Sequence, residues 1–415
     1  MSILIKKALL NNKETDILIE GNKISQIGKN INTEAEFKID GRNKAVIPSF
    51  VNAHTHAAMT LMRGYADDMK VLDWLQTKIW PLEEKLSEKD VYWGAKLACL
   101  EMIKSGTTFF NDMYWHYHGT AKAVDEMGMR ATVSAVFIDL FDKAKSEEQI
   151  KLNKRLFQET KKYSERVIFA LGPHAIYTVS KESLQWIKEF SDKNNLLIHI
   201  HLSESKSEVD DCIAKHRMRP VEYLEKIGFL GPRVVACHSI WLSDREIRIL
   251  KKHNVKIAHN PVSNMKLSSG VFPYEKMKSL TVALGTDGCA SNNNLDMLEE
   301  MKFAALLQKS HTHNPTLMPA SEAFRMATIN GAKVFNLNSG EIKEGKLADL
   351  LLVNLNDIHL NPRHNLISNL VYSANSSCVD TTICNGKILM QNRKVKDEEE
   401  ILEKANEVAF NLTKK

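Results

Sequence analysis

Two histidine pairs and one aspartate in this chain have the spacing of a metal site. They are His54-Thr55-His56, His199-Ile200-His201 and Asp287 in Gly285-Thr286-Asp287-Gly288. Residues i and i+2 of a strand project to one face, so both imidazoles of a pair can reach one ion. An isolated pair of this kind also occurs by chance on a surface. Here His54 and His56 follow the apolar stretch 48–53, which favours the end of a buried strand. In the other pair His201 lies one layer nearer the strand end and is assigned as the ligand; His199 is read as a packed or supporting histidine. Burying Asp287 costs free energy unless it is paired or coordinated. The alternative is a solvated turn aspartate before glycine. His54, His56, His201 and Asp287, completed by a water, suit one divalent cation per subunit. Zinc is the first choice, with iron(II) or manganese(II) as alternates. A two-metal version needs a bridging group, often a modified lysine on the fourth strand. That strand ends here in Leu171-Gly172-Pro173-His174, without lysine.

Positioning such a site takes a particular scaffold. Short apolar runs recur over 45–51, 107–110, 131–137, 167–171, 196–200, 234–236, 255–258 and 281–284. Val, Ile and Leu dominate them, as expected of strands buried on both faces. Helical patterns lie between, such as 90–104, with Gly106 as a stop, and 181–193. Eight strand–helix units argue for an α/β fold of the (β/α)8, TIM-like type, whose chemistry sits just past the strand ends. Those positions hold His54, His56, Asn111-Asp112, His174, His201, His238, His259-Asn260 and Asp287. The two chain ends have a different rhythm. Residues 2–10, 16–20, 23–27, 349–354 and 381–389 alternate like strands, with hairpin signals at Gly21-Asn22 and Asn385-Gly386. The expected organisation is a composite β-sandwich from 1–48 and 338–415 around a catalytic barrel over 49–337.

Length and composition exclude other classes. In 415 residues, 43% hydrophobic and 26% charged content rules out wholesale disorder, collagen and a membrane bundle. A net charge of +5 on this length does not argue for nucleic acid or membrane. Six cysteines without a CxxC pair are too sparse for a disulfide scaffold and read as reduced thiols of a cytoplasmic protein. The N-terminal apolar run is too short for a signal sequence, and no stretch is long enough to span a bilayer.

Taken together, the segments IPSFVNAHTHAAMTLMRGYADD, WPLEEKL, SGTTFFNDMY, LGPHAIYT, HIHLSES, ACHSIWLS, HNPVSNMKLSSG, GTDGCASNNNLDMLEEM and EGKLADLLLVN resemble the amidohydrolase superfamily. More narrowly, they are similar to the deaminases of 5′-modified adenosines, which act on methylthioadenosine, S-adenosylhomocysteine and 5′-deoxyadenosine. The resemblance implies a barrel with a terminal β-sandwich and the metal set His54, His56, His201 and Asp287. It implies hydrolytic deamination of an adenine nucleoside in salvage of S-adenosylmethionine by-products.

Within that resemblance, Asp287 accepts a proton from the attacking water and His238 hydrogen-bonds to that water. Glu204 protonates the purine N1 and serves the departing ammonia. Glu204 three residues after His201 faces inward only if the Leu202-Ser203 step leaves the strand. Without the resemblance, Glu204 also reads as a helix-start carboxylate and His238 as a core histidine. The family pattern makes Glu83 a ribose binder, with Glu84 a bystander. Glu83 after Trp80-Pro81-Leu82 equally fits ordinary helix-start chemistry. His174 resembles the family's substrate-contacting histidine, and Ser291 is a further carry-over. Trp74 walls the purine or the 5′ group, or else is a core aromatic of a loop helix. Residues 134–145 carry no arginine, so small uncharged 5′ groups are expected over S-adenosylhomocysteine. The influence of Trp241 on the pocket is left open. A rival enzyme reading keeps the metal and changes the ring to guanine, cytosine or an s-triazine halide. A remote one is a silent metal-binding scaffold, which would be expected to lose Glu204, His238 or Asp287. A homo-oligomer is expected, with no pattern that fixes its order.

Overall fold

The structure, a computed structural model, describes residues 1–69 and 71–414. Eight parallel strands pair in chain order: Phe50–Thr55, Thr107–Tyr114, Arg130–Phe137, Val167–Pro173, Ile198–Leu202, Val234–His238, Lys256–His259 and Val282–Leu284. Every residue of the first, second, fifth and sixth of these strands is buried. Neither face of these strands meets water, which favours the apolar residues they carry, while their buried polar residues gather toward the strand ends. The ring closes at the future site. The N–H groups of Thr286 and Asp287 donate to the His54 carbonyl at 3.1 and 2.9 Å. Gly285 permits this approach, because a Cβ there would lie 2.7 Å from the His54 nitrogen.

Helices on the outside follow local rules. Glu88–Ser105 starts at Ser87, which exchanges capping-box hydrogen bonds with Asp90, and stops at left-handed Gly106. Among the described residues no helix is long and apolar enough to cross a membrane.

A second, mixed sheet of nine strands joins the chain ends. Lys44–Pro48 runs antiparallel to Leu350–Asn354 and links the N-terminal strands to the C-terminal ones. Ile3, Ile5, Ile17, Ile19, Leu350, Leu352 and Ile383 form one shared core. The two hairpin turns meet: a Cβ on Gly386 would stand 2.0 Å from the Gly21 carbonyl. A buried Arg130–Asp349 ion pair ties this sheet to the barrel. Removing one partner of such a pair costs about 3–5 kcal/mol.

The run 45–51, read from sequence as one barrel strand, divides. The chain changes sheets at Ser49, whose N–H donates to the Asp349 carbonyl, while Phe50 N–H already donates to Gly106 in the barrel. Hydrophobicity is continuous across the break because both sheets bury that segment. The second strand runs on to Tyr114, four residues beyond its apolar run, so Asn111 and Asp112 lie inside the barrel.

Candidate active site

Three imidazoles and a carboxylate converge where the first, fifth and eighth strands end. His54 and His56 each place Nε2 3.2 Å from Asp287 Oδ1. His201 joins them, with ring centroids 5.0 Å from His54 and 5.4 Å from His56. The facing atoms of His54, His56 and His201 lie within 4.8 Å of one another.

Each ring is held from behind. His56 Nδ1 donates to the Met113 carbonyl at 2.6 Å, and His201 Nδ1 to the His174 carbonyl at 2.8 Å. His54 Nδ1 lies 2.8 Å from His199 Nε2. Fixing Nδ1 this way turns each Nε2 lone pair toward the shared point, as metal-binding histidines require. The donor set fits a divalent cation on one further observation: His54 Nε2 is buried and, though near Asp287, makes no hydrogen bond. A buried polar atom with no partner calls for one.

Asp287 divides its oxygens. Oδ1 faces the histidines, and Oδ2 accepts from Ser263 Oγ at 2.6 Å and Ser291 Oγ at 2.9 Å. Its backbone is left-handed, φ +62°. Electrostatics of the cluster follow. Burial pulls the His54 pKa down to about 3. Burial acts the same way on His56, but the Asp287 carboxylate and the Met113 carbonyl reverse it, to about 9. Burial raises Asp287, and the two histidines more than offset it, holding the carboxyl well below its usual range.

His199 and Cys237 also group with His54. Their contacts, 2.8 Å for His54–His199 and 2.7 Å for His199–Cys237, are direct side-chain contacts. Nitrogen and sulfur sharing a zinc would stand about 3.5 Å apart. This is a chain of contacting side chains beneath the site.

His238 ends the sixth strand in a left-handed conformation, φ +65°. The Asn264 and Asn260 amides donate to its Nδ1 at 2.9 and 3.3 Å. Its proton therefore sits on Nε2, which is 3.7 Å from Glu204 Oε2. The strand departure expected before Glu204 occurs at Ser203, φ +51°. Burial raises the Glu204 pKa, so this side chain keeps a proton to higher pH than an exposed glutamate.

Glu83, Trp74, His174, Glu204, His238, Asp287 and Ser291 line one cavity of about 220 Å³ with His56 and His201. Glu83 accepts from the Trp115 indole at 3.3 Å, and burial raises its pKa. His174 Nδ1 lies 2.9 Å from Thr178 Oγ1; burial beside His56 and His238 lowers its pKa to about 4. Trp74 is 6% exposed and belongs both to the cavity wall and to a core cluster with Met59, Met62 and Ile79. The Ser291 hydroxyl is already spent on Asp287. His259 stacks on Phe272 away from the cavity, ring centroids 4.3 Å apart. Trp241 is also outside the cavity wall; its indole donates to the Ser269 carbonyl at 2.6 Å and braces that loop. A second cavity of about 660 Å³ continues past Glu83, Trp115, Val136, Ile138 and His174.

Sequence reasoning missed Tyr114, Trp115, Ser263 and Glu208. The first two were within reach of the strand-end rule, had the second strand been carried to its true end. Ser263 follows Pro261 at a helix start, where nothing in the pattern marks its hydroxyl.

A family model described as "Amidohydrolase family" matches residues 45–389. A 5-methylthioadenosine/S-adenosylhomocysteine deaminase of Archaeoglobus fulgidus is 52% identical over 421 residues, covering 99% of both chains. A 5′-deoxyadenosine deaminase of Methanocaldococcus jannaschii is 48% identical over 414 residues, 98% of each. A crystal structure of an adenosine deaminase from Xanthomonas campestris with bound zinc superposes with TM-score 0.94 at 31% identity, covering 100% of this chain and 99% of that one. Sequence likeness over the whole length and likeness of fold thus agree, and the chain belongs to the amidohydrolase family.

Proposed function

We propose that this protein deaminates 5′-modified adenosines hydrolytically, replacing the 6-amino group by oxygen and releasing ammonia. One observation carries the reading: Glu204, an acid whose pKa burial raises, stands beside His238 at the edge of the three-histidine, one-aspartate cluster. Aromatic deamination needs an acid for the ring nitrogen next to the point of attack.

A divalent cation held by His54, His56, His201 and Asp287, zinc in this reading, supplies Lewis acidity that makes water nucleophilic at neutral pH. Asp287 Oδ1 accepts the proton of the attacking water, while Ser263 and Ser291 keep Oδ2 in place. His238 donates its Nε2–H toward the incoming oxygen. Glu204 gives its proton to N1, which makes C6 electrophilic, and then returns a proton to the leaving amino group. Glu83 has acceptor capacity beyond the Trp115 bond and takes the ribose hydroxyls. His174 and Trp74 border the nucleoside, and Ser291 acts through Asp287. Residues 49–337 are the catalytic unit, and 1–48 with 338–415 form the composite supporting domain. Six unpaired, buried cysteines support a reducing, cytoplasmic setting.

For the 5′ group, the outer cavity begins with apolar Val136, Ile138 and Leu140. That favours 5′-deoxyadenosine and 5′-methylthioadenosine. A second reading draws on its size and on Arg155 in its wall, which favour acceptance of S-adenosylhomocysteine as a slower substrate. Ammonia release measured across the three nucleosides, adenosine and guanine, with halide release from an s-triazine halide, tests both. Expected are turnover of the nucleosides alone, its loss with chelator and its return with zinc. Turnover of guanine in preference to every nucleoside would overturn the proposal. S-adenosylhomocysteine as the best substrate by kcat/KM would reverse the expected order.

A further inference from the structure

We propose that Glu208 is a positioning residue that aims Glu204 into the site. This rests on the reading of Glu204 as the acid of the reaction. The strand Ile198–Leu202 ends two residues before Glu204, and the helix Lys206–His216 begins two residues after it, capped by Ser205. Ser203 and Glu204 therefore belong to neither element, and their N–H groups have no ladder or helix partner. Glu208 supplies both partners. Its Oε1 accepts from Ser203 N–H and its Oε2 from Glu204 N–H, each at 2.8 Å.

The arrangement departs from ordinary capping. Glu208 is the third residue of its helix, and its own N–H donates to Ser205 Oγ at 3.2 Å. An acid at that position commonly reaches back to the N–H of the capping residue. Here the carboxyl group extends past Ser205 to Glu204 and Ser203 as well, and lies 7% exposed in the wall of the cavity.

The turn it grips is one the chain would not choose. Ser203 is left-handed at φ +51°, a conformation non-glycine residues keep only when their surroundings impose it. From the other side, the Ser203 carbonyl accepts from Ile240 and Trp241 N–H at 3.1 and 2.9 Å. Two N–H groups fastened to one carboxylate and one carbonyl fastened to the sixth-strand loop leave the peptide plane no freedom. The direction of the Glu204 side chain, toward His238, follows.

A glutamate side chain presents two acceptor oxygens at that distance. Glu208→Gln keeps the shape but sets an NH₂ against one backbone N–H. A misplacement of about 1 Å can cost on the order of 100-fold in rate. We expect Glu208→Gln to lower kcat about 10- to 100-fold, with KM within about threefold and zinc per subunit unchanged. Within a Glu204→Gln background the same change should cost less than about threefold, because nothing remains to aim. A crystal structure of the zinc-loaded Glu208→Gln protein should show the Ser203–Glu204 turn altered and the Glu204 carboxylate displaced from His238. Wild-type kcat in Glu208→Gln, an equal fold-loss in both backgrounds, or an unmoved turn would each overturn the proposal. If the wild-type protein deaminates no adenine nucleoside, the functional reading fails, and the variant's turn geometry alone decides the positioning role.

Discussion

His54-Thr55-His56 and His199-Ile200-His201 have the same spacing and both sit at strand ends, but the fold uses them differently. Both members of the first pair face Asp287 Oδ1 at 3.2 Å. In the second pair only His201 reaches that cluster, while His199 lies beneath it against His54. Strand geometry explains the contrast. Two residues along a strand are separated by about 6.6 Å in depth, so a shared face permits two rings to reach one ion but does not by itself bring them there. The first strand ends at Thr55, and His56 lies beyond it, with φ −118° and ψ 81°, where the chain folds into the short helical turn Ala57–Met62. That bend brings two depths to one point. The fifth strand continues through Leu202, past its second histidine, so its pair remains stacked in two layers. A His-x-His pattern therefore specifies a face, and the strand's end specifies whether one or both members reach the shared point.

The largest test of this contrast removes one histidine at a time. His56→Ala and His201→Ala should each abolish stable zinc retention and reduce kcat/KM on the order of 10³-fold or more, since Lewis-acid activation is worth several kcal/mol. Zinc per subunit after desalting, with assay of ammonia release, checks both. His199→Ala should keep zinc under the same conditions. Loss of zinc equal to that of His56→Ala would make the two pairs equivalent and break the comparison.

A smaller effect sharpens it. With His54 Nε2 given to a cation, its proton resides on Nδ1 and needs an acceptor, and His199 Nε2 is the one it faces. His199→Phe fills much of the same space and offers none. Supporting contacts of this kind change metal affinity about 10- to 100-fold. Competition with a chromophoric chelator should show that loss, while zinc-saturated enzyme keeps most of its kcat. His199→Gln, whose side-chain oxygen can accept, should recover part of the affinity. Equal affinities in the phenylalanine and wild-type proteins would reduce His199 to packing.

What could be read from sequence divides along the same line. Strand identity came from runs of Val, Ile and Leu, which strands buried on both faces favour. The histidines stood out because strand ends in this architecture face one rim. Depth and direction did not show. The sheet change at Ser49 is silent in hydrophobicity, and the second strand's polar continuation through Asn111 and Asp112 hid Trp115. Left-handed turns at Ser203, His238 and Asp287 occur at residues whose type does not demand them. The carbonyls of Met113 and His174 that orient His56 and His201 belong to the backbone, which no side-chain pattern records.

The smallest effect separates the two pairs through the aspartate between them. Ser263 and Ser291 both donate to Asp287 Oδ2, on the side away from the histidines. Removing one hydroxyl leaves the other in place, so the carboxylate loses orientation but not its only support. A hydrogen bond to a charged group is worth about 1.5–3 kcal/mol, and the remaining serine offsets part of it. Ser291→Ala should therefore weaken zinc affinity by only about three- to tenfold, and Ser263→Ala, which loses the shorter bond, by somewhat more. The double variant should lose more than the two single losses multiplied together, because only then is Oδ2 left without either donor. Because Asp287 Oδ1 lies against His54 and His56, the added looseness should fall on that pair. In crystal structures of the variants, His54 and His56 should shift relative to Asp287 while the His201–His174 bond keeps its 2.8 Å length. A shift of His201 equal to that of His56 would mean that the aspartate steadies both pairs alike, and that their difference ends at depth.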